Sequence, residues 1–195
     1  MKQWFKALLV LLVIVYPFAV YFGLHYFSPR NIALSLAFLF LLRFILLQPR
    51  SINFSQAIVI LLTLLGLGIS FLGAISNNEF VMKLYPAAVS LLLFGFFFYS
   101  LLSPPTVIQH IAQLKMPKLS NEAIRYTRKV TIVWCVFFVL NGSVALVTAL
   151  FAPTKIWAIY NGFVAYLLIG LVFVIEFIVR QYCQRHFDKH KIEAR

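Results

Sequence analysis

The feature that most constrains this chain is a succession of apolar runs, each close to the roughly 20 residues an α-helix needs to cross bilayer hydrocarbon. Six are read, over 7–27, 31–47, 55–75, 84–103, 130–151 and 156–179. Between them stand the breakers expected of connections: Ser28-Pro29, Gln48-Pro49, Ser76-Asn77-Asn78, Ser103-Pro104-Pro105 and Ala152-Pro153-Thr154. The composition agrees. Of the 195 residues, 63% are hydrophobic and 11% charged, against about 45–50% and about 25% in a soluble domain. A globular core cannot absorb that excess; a bilayer can. A soluble enzyme, a secreted disulfide scaffold and a disordered tail are thereby excluded. The expected fold is all-α, one polytopic domain over 1–195, built as a six-helix transmembrane bundle with a short amphipathic loop helix.

The run over 31–47 is the shortest and carries Arg43, which lies close enough to the Gln48-Pro49-Arg50 exit to snorkel toward headgroups. The first run follows Lys2 and Lys6, as a signal peptide would. It exceeds the 7–15 residues of a signal h-region and no small-x-small cleavage site follows, so a retained anchor is expected, kinked at Pro17.

Orientation follows from the placement of basic residues. With both termini on one side, that side holds Lys2, Lys6, Arg43, Arg50, Lys115, Lys118, Arg125, Arg128, Lys129, Arg180, Arg185, Lys189, Lys191 and Arg195. The other side holds only Arg30, Lys83 and Lys155. This asymmetry predicts cytoplasmic N- and C-termini. It also places Cys135 and Cys183 near or on the side where thiols stay reduced. The net charge of +12 is spread between apolar runs rather than clustered on a soluble face, which argues against a nucleic-acid partner.

The one sizeable loop, 104–129, places Val107, Ile108, Ile111 and Leu114 on one helical face, with Gln109, His110, Gln113 and Lys115 mostly opposite. Such a helix either lies on the inner leaflet or packs on the bundle; both need the same periodicity. Ser120 is an expected N-cap with Glu122 in the first turn. The following helix then starts in the cytoplasm and carries Arg125, Arg128 and Lys129 to the interface. In the tail, 180–195, Cys183, His186 and His190 stand at i, i+3 and i+7, but no fourth metal ligand is evident. The basic surroundings read more simply as attraction to anionic headgroups.

Inside the apolar runs the polar inventory is short. Small residues at four-residue spacing, Gly66, Ser70 and Ala74, then Asn141, Ala145 and Ala149, then Asn161 and Ala165, form ridges that permit close helix approach in lipid. The pentads Asn141-Gly142-Ser143-Val144-Ala145 and Asn161-Gly162-Phe163-Val164-Ala165 follow Trp134 and Trp157 respectively. They read either as an inverted repeat or as the contact faces of an antiparallel hairpin. Glu176 is the one acidic residue embedded in a run. It serves either a proton or cation relay or a structural ion pair, with Arg180 at i+4 or with Arg128 at the same depth. Glu176, Arg128, Arg180, Asn141, Asn161, Trp134 and Trp157 are the candidate functional or structural positions. Gly66-x-Gly68 opens no strand–turn–helix unit, and no nucleophile has a base and an orienter at recognisable spacing. No catalytic site, metal site or cofactor is expected.

The stretch Arg125-Tyr126-Thr127-Arg128-Lys129-Val130-Thr131-Ile132-Val133-Trp134-Cys135-Val136-Phe137-Phe138, with Asn141-Gly142, Trp157, Tyr160-Asn161-Gly162, Tyr166, Gly170, Phe173, Glu176 and Arg180, resembles a bacterial inner-membrane family associated with aryl polyene biosynthesis gene clusters. Pro105-Thr106-Val107-Ile108 is similar to the entry of that family's cytoplasmic loop; where the family carries an acidic–basic pair, this chain has Gln109 and His110. The Trp-x2-Phe-Phe-x2-Asn-Gly pattern is also similar to the intracellular septation protein A family of small multispanning envelope proteins. The resemblance covers the C-terminal half and implies a Gram-negative inner membrane and an envelope or polyene-lipid pathway. Three functions are open on this reading. One is a non-catalytic accessory protein docking soluble biosynthetic enzymes at its basic loop and tail. Another is a small transporter or flippase for an amphipathic product, acting alone or as a homodimer. The third, a membrane acyl or glycosyl transferase, lacks the convergent polar groups such chemistry needs.

Overall fold

The computed structural model describes residues 21–23, 26–46, 54–114 and 116–193, whose regular structure is entirely helical. Most of the run over 7–27, its Pro17 kink and the Gln48-Pro49-Arg50 exit lie outside the described residues. The helices are α1 (Pro29–Leu46), α2 (Phe54–Ser76), α3 (Glu79–Lys83), α4 (Tyr85–Leu102), α5 (Val107–Gln113), α6 (Asn121–Phe151), α7 (Thr154–Ile159) and α8 (Ala165–Glu193), with a π-helical segment, Tyr160–Val164, between α7 and α8. Among the described residues, four stretches are long and apolar enough to cross a membrane: Gln56–Ser76, Glu79–Leu102, Asn121–Phe151 and Thr154–Tyr182.

Local chemistry sets the boundaries. Ser28 precedes Pro29 at the first turn of α1, and its hydroxyl and carbonyl both accept from the Asn31 amide. Asn77 closes α2 in the left-handed region at φ 48°, a conformation that asparagine tolerates better than most residues. Its Oδ1 accepts from the Arg30 amide at 3.0 Å. That bond ties the end of α2 to the start of α1 and makes the two antiparallel. Asn78 then caps α3 by accepting from the Phe80 amide at 2.9 Å. Ser120 caps α6 through the Ala123 amide, with Glu122 in its first turn. At 31 residues, α6 is about 46 Å long at 1.5 Å per residue, more than the ~30 Å of hydrocarbon. Its first turns carry Arg125, Arg128 and Lys129.

Lipid offers no hydrophobic drive for helices to associate, so close packing and hydrogen bonds must hold the bundle. The small-residue ridge of α2 does this against α1. The Phe40 ring fills the space a Cβ at Gly66 would need, Gly73 faces Met82 and Ala33, and Ser70 and Ala74 are buried. One core cluster joins α1, α2, α3, α6 and α7 through Ala33, Leu36, Ala74, Met82, Ala149 and Trp157. A second joins α4, α5 and α6 through Phe97, Val107, Val130, Trp134 and Phe138. Large apolar side chains such as Phe38, Leu91, Leu140 and Leu171 point outward. Water would penalise such a surface and lipid does not.

The loop helix α5 divides the two settings weighed for it. Thr106 caps it by accepting from the Gln109 amide, and the Val107 amide donates to the buried Ser100 hydroxyl at 3.1 Å. Val107 packs into the second core cluster while Ile111 and Leu114 face outward. Its first turn is held by the bundle and its second presents apolar surface.

Arg43 departs from the snorkelling expectation: only 8% of its surface is exposed. The reason is rotational. Arg43 lies three residues after Phe40 and seven after Leu36, both on the packed face of α1, where the Phe40 ring meets that of Tyr85 at 5.8 Å.

Candidate functional site

The embedded polar residues gather at three levels along the helices. At the end bearing Arg128, Glu176 of α8 faces Tyr126 of α6. The Tyr126 hydroxyl lies 3.2 Å from the Glu176 carbonyl oxygen and 3.4 Å from its Oε1, placed to donate to either. Arg180 Nε lies 3.8 Å from the same Oε1, with the guanidinium 5.5 Å from the Phe177 ring centre. Of the two partners weighed for Glu176, the structure uses Arg180. Arg128 turns the other way and donates to the Leu101 carbonyl at 3.2 Å. A basic group there meets the unsatisfied carbonyls and negative dipole end of α4.

Trp134 stands farther along α6, within a ring of aromatic side chains. Its ring centre lies 4.8 Å from that of Phe173, 5.7 Å from Phe138 and 6.5 Å from Phe97. It joins α4, α6 and α8 by packing alone.

At the middle level Asn141 links three helical segments. Its Nδ2 donates to Ser90 Oγ of α4 at 3.2 Å, and its Oδ1 accepts from the Tyr160 hydroxyl at 3.1 Å. Ser90 also donates to the Pro86 carbonyl. Gly142 permits this approach: a Cβ there would stand 2.9 Å from Ser90 Cβ.

At the third level Asn161 opens the second residue of the π segment. Its Nδ2 donates to the Trp157 carbonyl at 2.9 Å and reaches Thr148 Oγ1 of α6 at 3.4 Å. Trp157 is fully buried and donates from Nε1 to the Lys83 carbonyl at 3.0 Å, while Lys83 Nζ pairs with Glu79 at 2.8 Å. The Trp157 carbonyl also accepts from the Tyr160 amide, so the Asn161 amide is its second donor, at the entry to the π segment. Asn161 Oδ1 has no hydrogen-bond partner among the described residues, although Asn161 is only 4% exposed.

The close backbone approach of α6 is to α4; toward the last membrane helix it reaches by side chains, through Asn141–Tyr160, Thr148–Asn161, Trp134–Phe173 and Tyr126–Glu176. Ala145 and Ala165 are both buried. Sequence reasoning named one member of each pair and missed Ser90, Tyr126, Thr148 and Tyr160. An apolar groove of about 420 Å³ runs between α4 and α6, lined by Leu84, Ala88, Leu91, Phe138, Gly142 and Leu146 among others. Among the described residues no group of three His, Cys, Asp or Glu side chains could hold a metal ion; the side chains of Cys183, His186 and His190 lie outside the description. Cys135 is a buried free thiol. Taken together, the geometry positions helices, and among the described residues no nucleophile stands beside a base. Neither a protein-family model, nor a curated protein, nor a solved structure matches the chain.

Proposed function

We propose that this chain is a non-catalytic accessory protein of a bacterial inner membrane, spanning it six times with both termini in the cytoplasm. It holds soluble biosynthetic enzymes of an envelope or polyene-lipid pathway at the inner leaflet. The observation that carries this reading is the use made of the embedded polar groups. Asn141, the Asn161 amide and Glu176 are engaged in bonds that join one helix to another, as expected of glue rather than of a substrate path. The basic loop, the basic turns of α6 and the tail supply a face that attracts anionic headgroups and acidic protein surfaces. The pathway itself rests on the resemblance carried by the stretch from Arg125 to Arg180.

A transport reading for an amphipathic product has one specific support, the π segment with its buried, unpartnered Asn161 Oδ1, because π turns are frequent at functional sites. Deleting the gene separates the two. The accessory role predicts that the pathway's product is absent; a product made but accumulated inside the cell establishes transport instead.

A further inference from the structure

We propose that Arg43 anchors the headgroup of an anionic amphiphile, an oxyanion carried on an apolar chain, at the packed face of α1 near the Tyr85 end of α4. The inference stands apart from the accessory role and holds for either reading of the protein.

An arginine stays charged in a protein, and a buried charge needs a counter-charge. Arg43 is 8% exposed, and its Nε has no hydrogen-bond partner among the described residues. The chain has only five acidic residues. Glu79 is taken by Lys83, and Glu176 by Arg180 and Tyr126. Glu122 is exposed in the first turn of α6, and Asp188 and Glu193 lie toward the end of α8, beyond the stretch able to cross a membrane. Among the described side chains none compensates Arg43, and the anion is sought outside the chain. The Tyr85 ring meets that of Phe40, one turn from Arg43 on α1, at 5.8 Å. The planar fork of a guanidinium is suited to carboxylate or phosphate oxygens.

The rest of the ligand follows from the surroundings. Leu39, Leu42 and Phe44 flank Arg43 on α1 and face outward. An ion reaching the site through hydrocarbon must carry its own apolar chain. Two sources share this chemistry: a phosphate-headed bilayer lipid and a carboxylate-headed single-chain amphiphile.

The test measures binding of dioleoyl phosphatidic acid, oleate and uncharged oleyl alcohol to the purified full chain in a non-ionic detergent. Wild type should bind at least one anionic probe about tenfold or more tighter than the alcohol, the scale expected of charge-assisted hydrogen bonds. Preference for phosphatidic acid identifies a lipid headgroup; preference for oleate identifies a free acid. Arg43→Gln should erase the preference. If that variant does not accumulate folded, Arg43→Lys decides, because losing the planar fork should weaken anionic probes severalfold and leave the alcohol unchanged. Equal binding of all three probes by wild type, or anion binding undiminished in whichever of the two variants folds, overturns the proposal.

Discussion

At the scale of single residues, what each embedded polar group holds decides what its loss does. Glu176 accepts a long ion pair from an arginine that is 46% exposed while being itself 18% exposed. Such a pair contributes about 0–1 kcal/mol. Glu176→Gln should therefore leave protein abundance and pathway output near wild type, or lower both together. Normal membrane abundance with the output gone would identify a relay. Asn141 is bound on both sides, to Ser90 and Tyr160. Asn141→Leu should destabilise by about 1–2 kcal/mol, two interhelical bonds at the upper end of what membrane helices show, read by thermal unfolding in detergent; no change would remove Asn141 from the packing account. Gly142→Val forces branched carbon against Ser90 and should destabilise by about 1–3 kcal/mol through overpacking, checked by the same unfolding assay. The sequence made Asn141, Asn161 and Glu176 conspicuous because amides and carboxylates are rare in apolar runs. Their partners Ser90, Thr148, Tyr126 and Tyr160 were not conspicuous. Hydroxyl residues are common there, and which of them meet depends on helix rotation, which periodicity in so uniformly apolar a chain does not specify.

At the scale of elements, caps and breakers were legible and packing faces only partly so. Ser120, Pro29 and Asn77-Asn78 mark the ends where α6, α1 and α2–α3 begin or stop. Each acts through local backbone chemistry that a short sequence window contains. The π segment left no such mark, since Tyr160-Asn161-Gly162 is as compatible with an ordinary α turn. Arg43 shows the same limit: its direction was not readable, because direction is set by where α2 and Tyr85 lie. The helix contacts themselves are testable. In a chain with Cys135 and Cys183 replaced, the double variants Ser90→Cys/Asn141→Cys and Thr148→Cys/Asn161→Cys should be joined by a short bifunctional thiol crosslinker in native membranes, because the native side-chain atoms lie 3.2 Å and 3.4 Å apart. Failure of both pairs, together with labelling of positions 141 and 161 by lipid-phase probes, would contradict the packing of α6 on its neighbours.

At the scale of the whole molecule, the account is one of charge laid over hydrocarbon. The outward-facing surfaces carry large apolar side chains, and the interior is joined by small residues, aromatic rings and a few hydrogen bonds; the proposed topology puts most of the basic residues at one end. In that topology the basic end includes the first turns of α6, where Arg128 is tied to the close of α4, and the continuation of α8 past Tyr182 to Glu193. The proposed docking of soluble enzymes and the affinity for anionic headgroups both require this basic end to face the cytoplasm. The most direct measurement is a pair of reporter fusions at the C-terminus of the full chain, one active only in the cytoplasm and one active only outside it. The account predicts activity from the cytoplasmic reporter and silence from the other; the reverse pattern would invert the molecule and contradict the account.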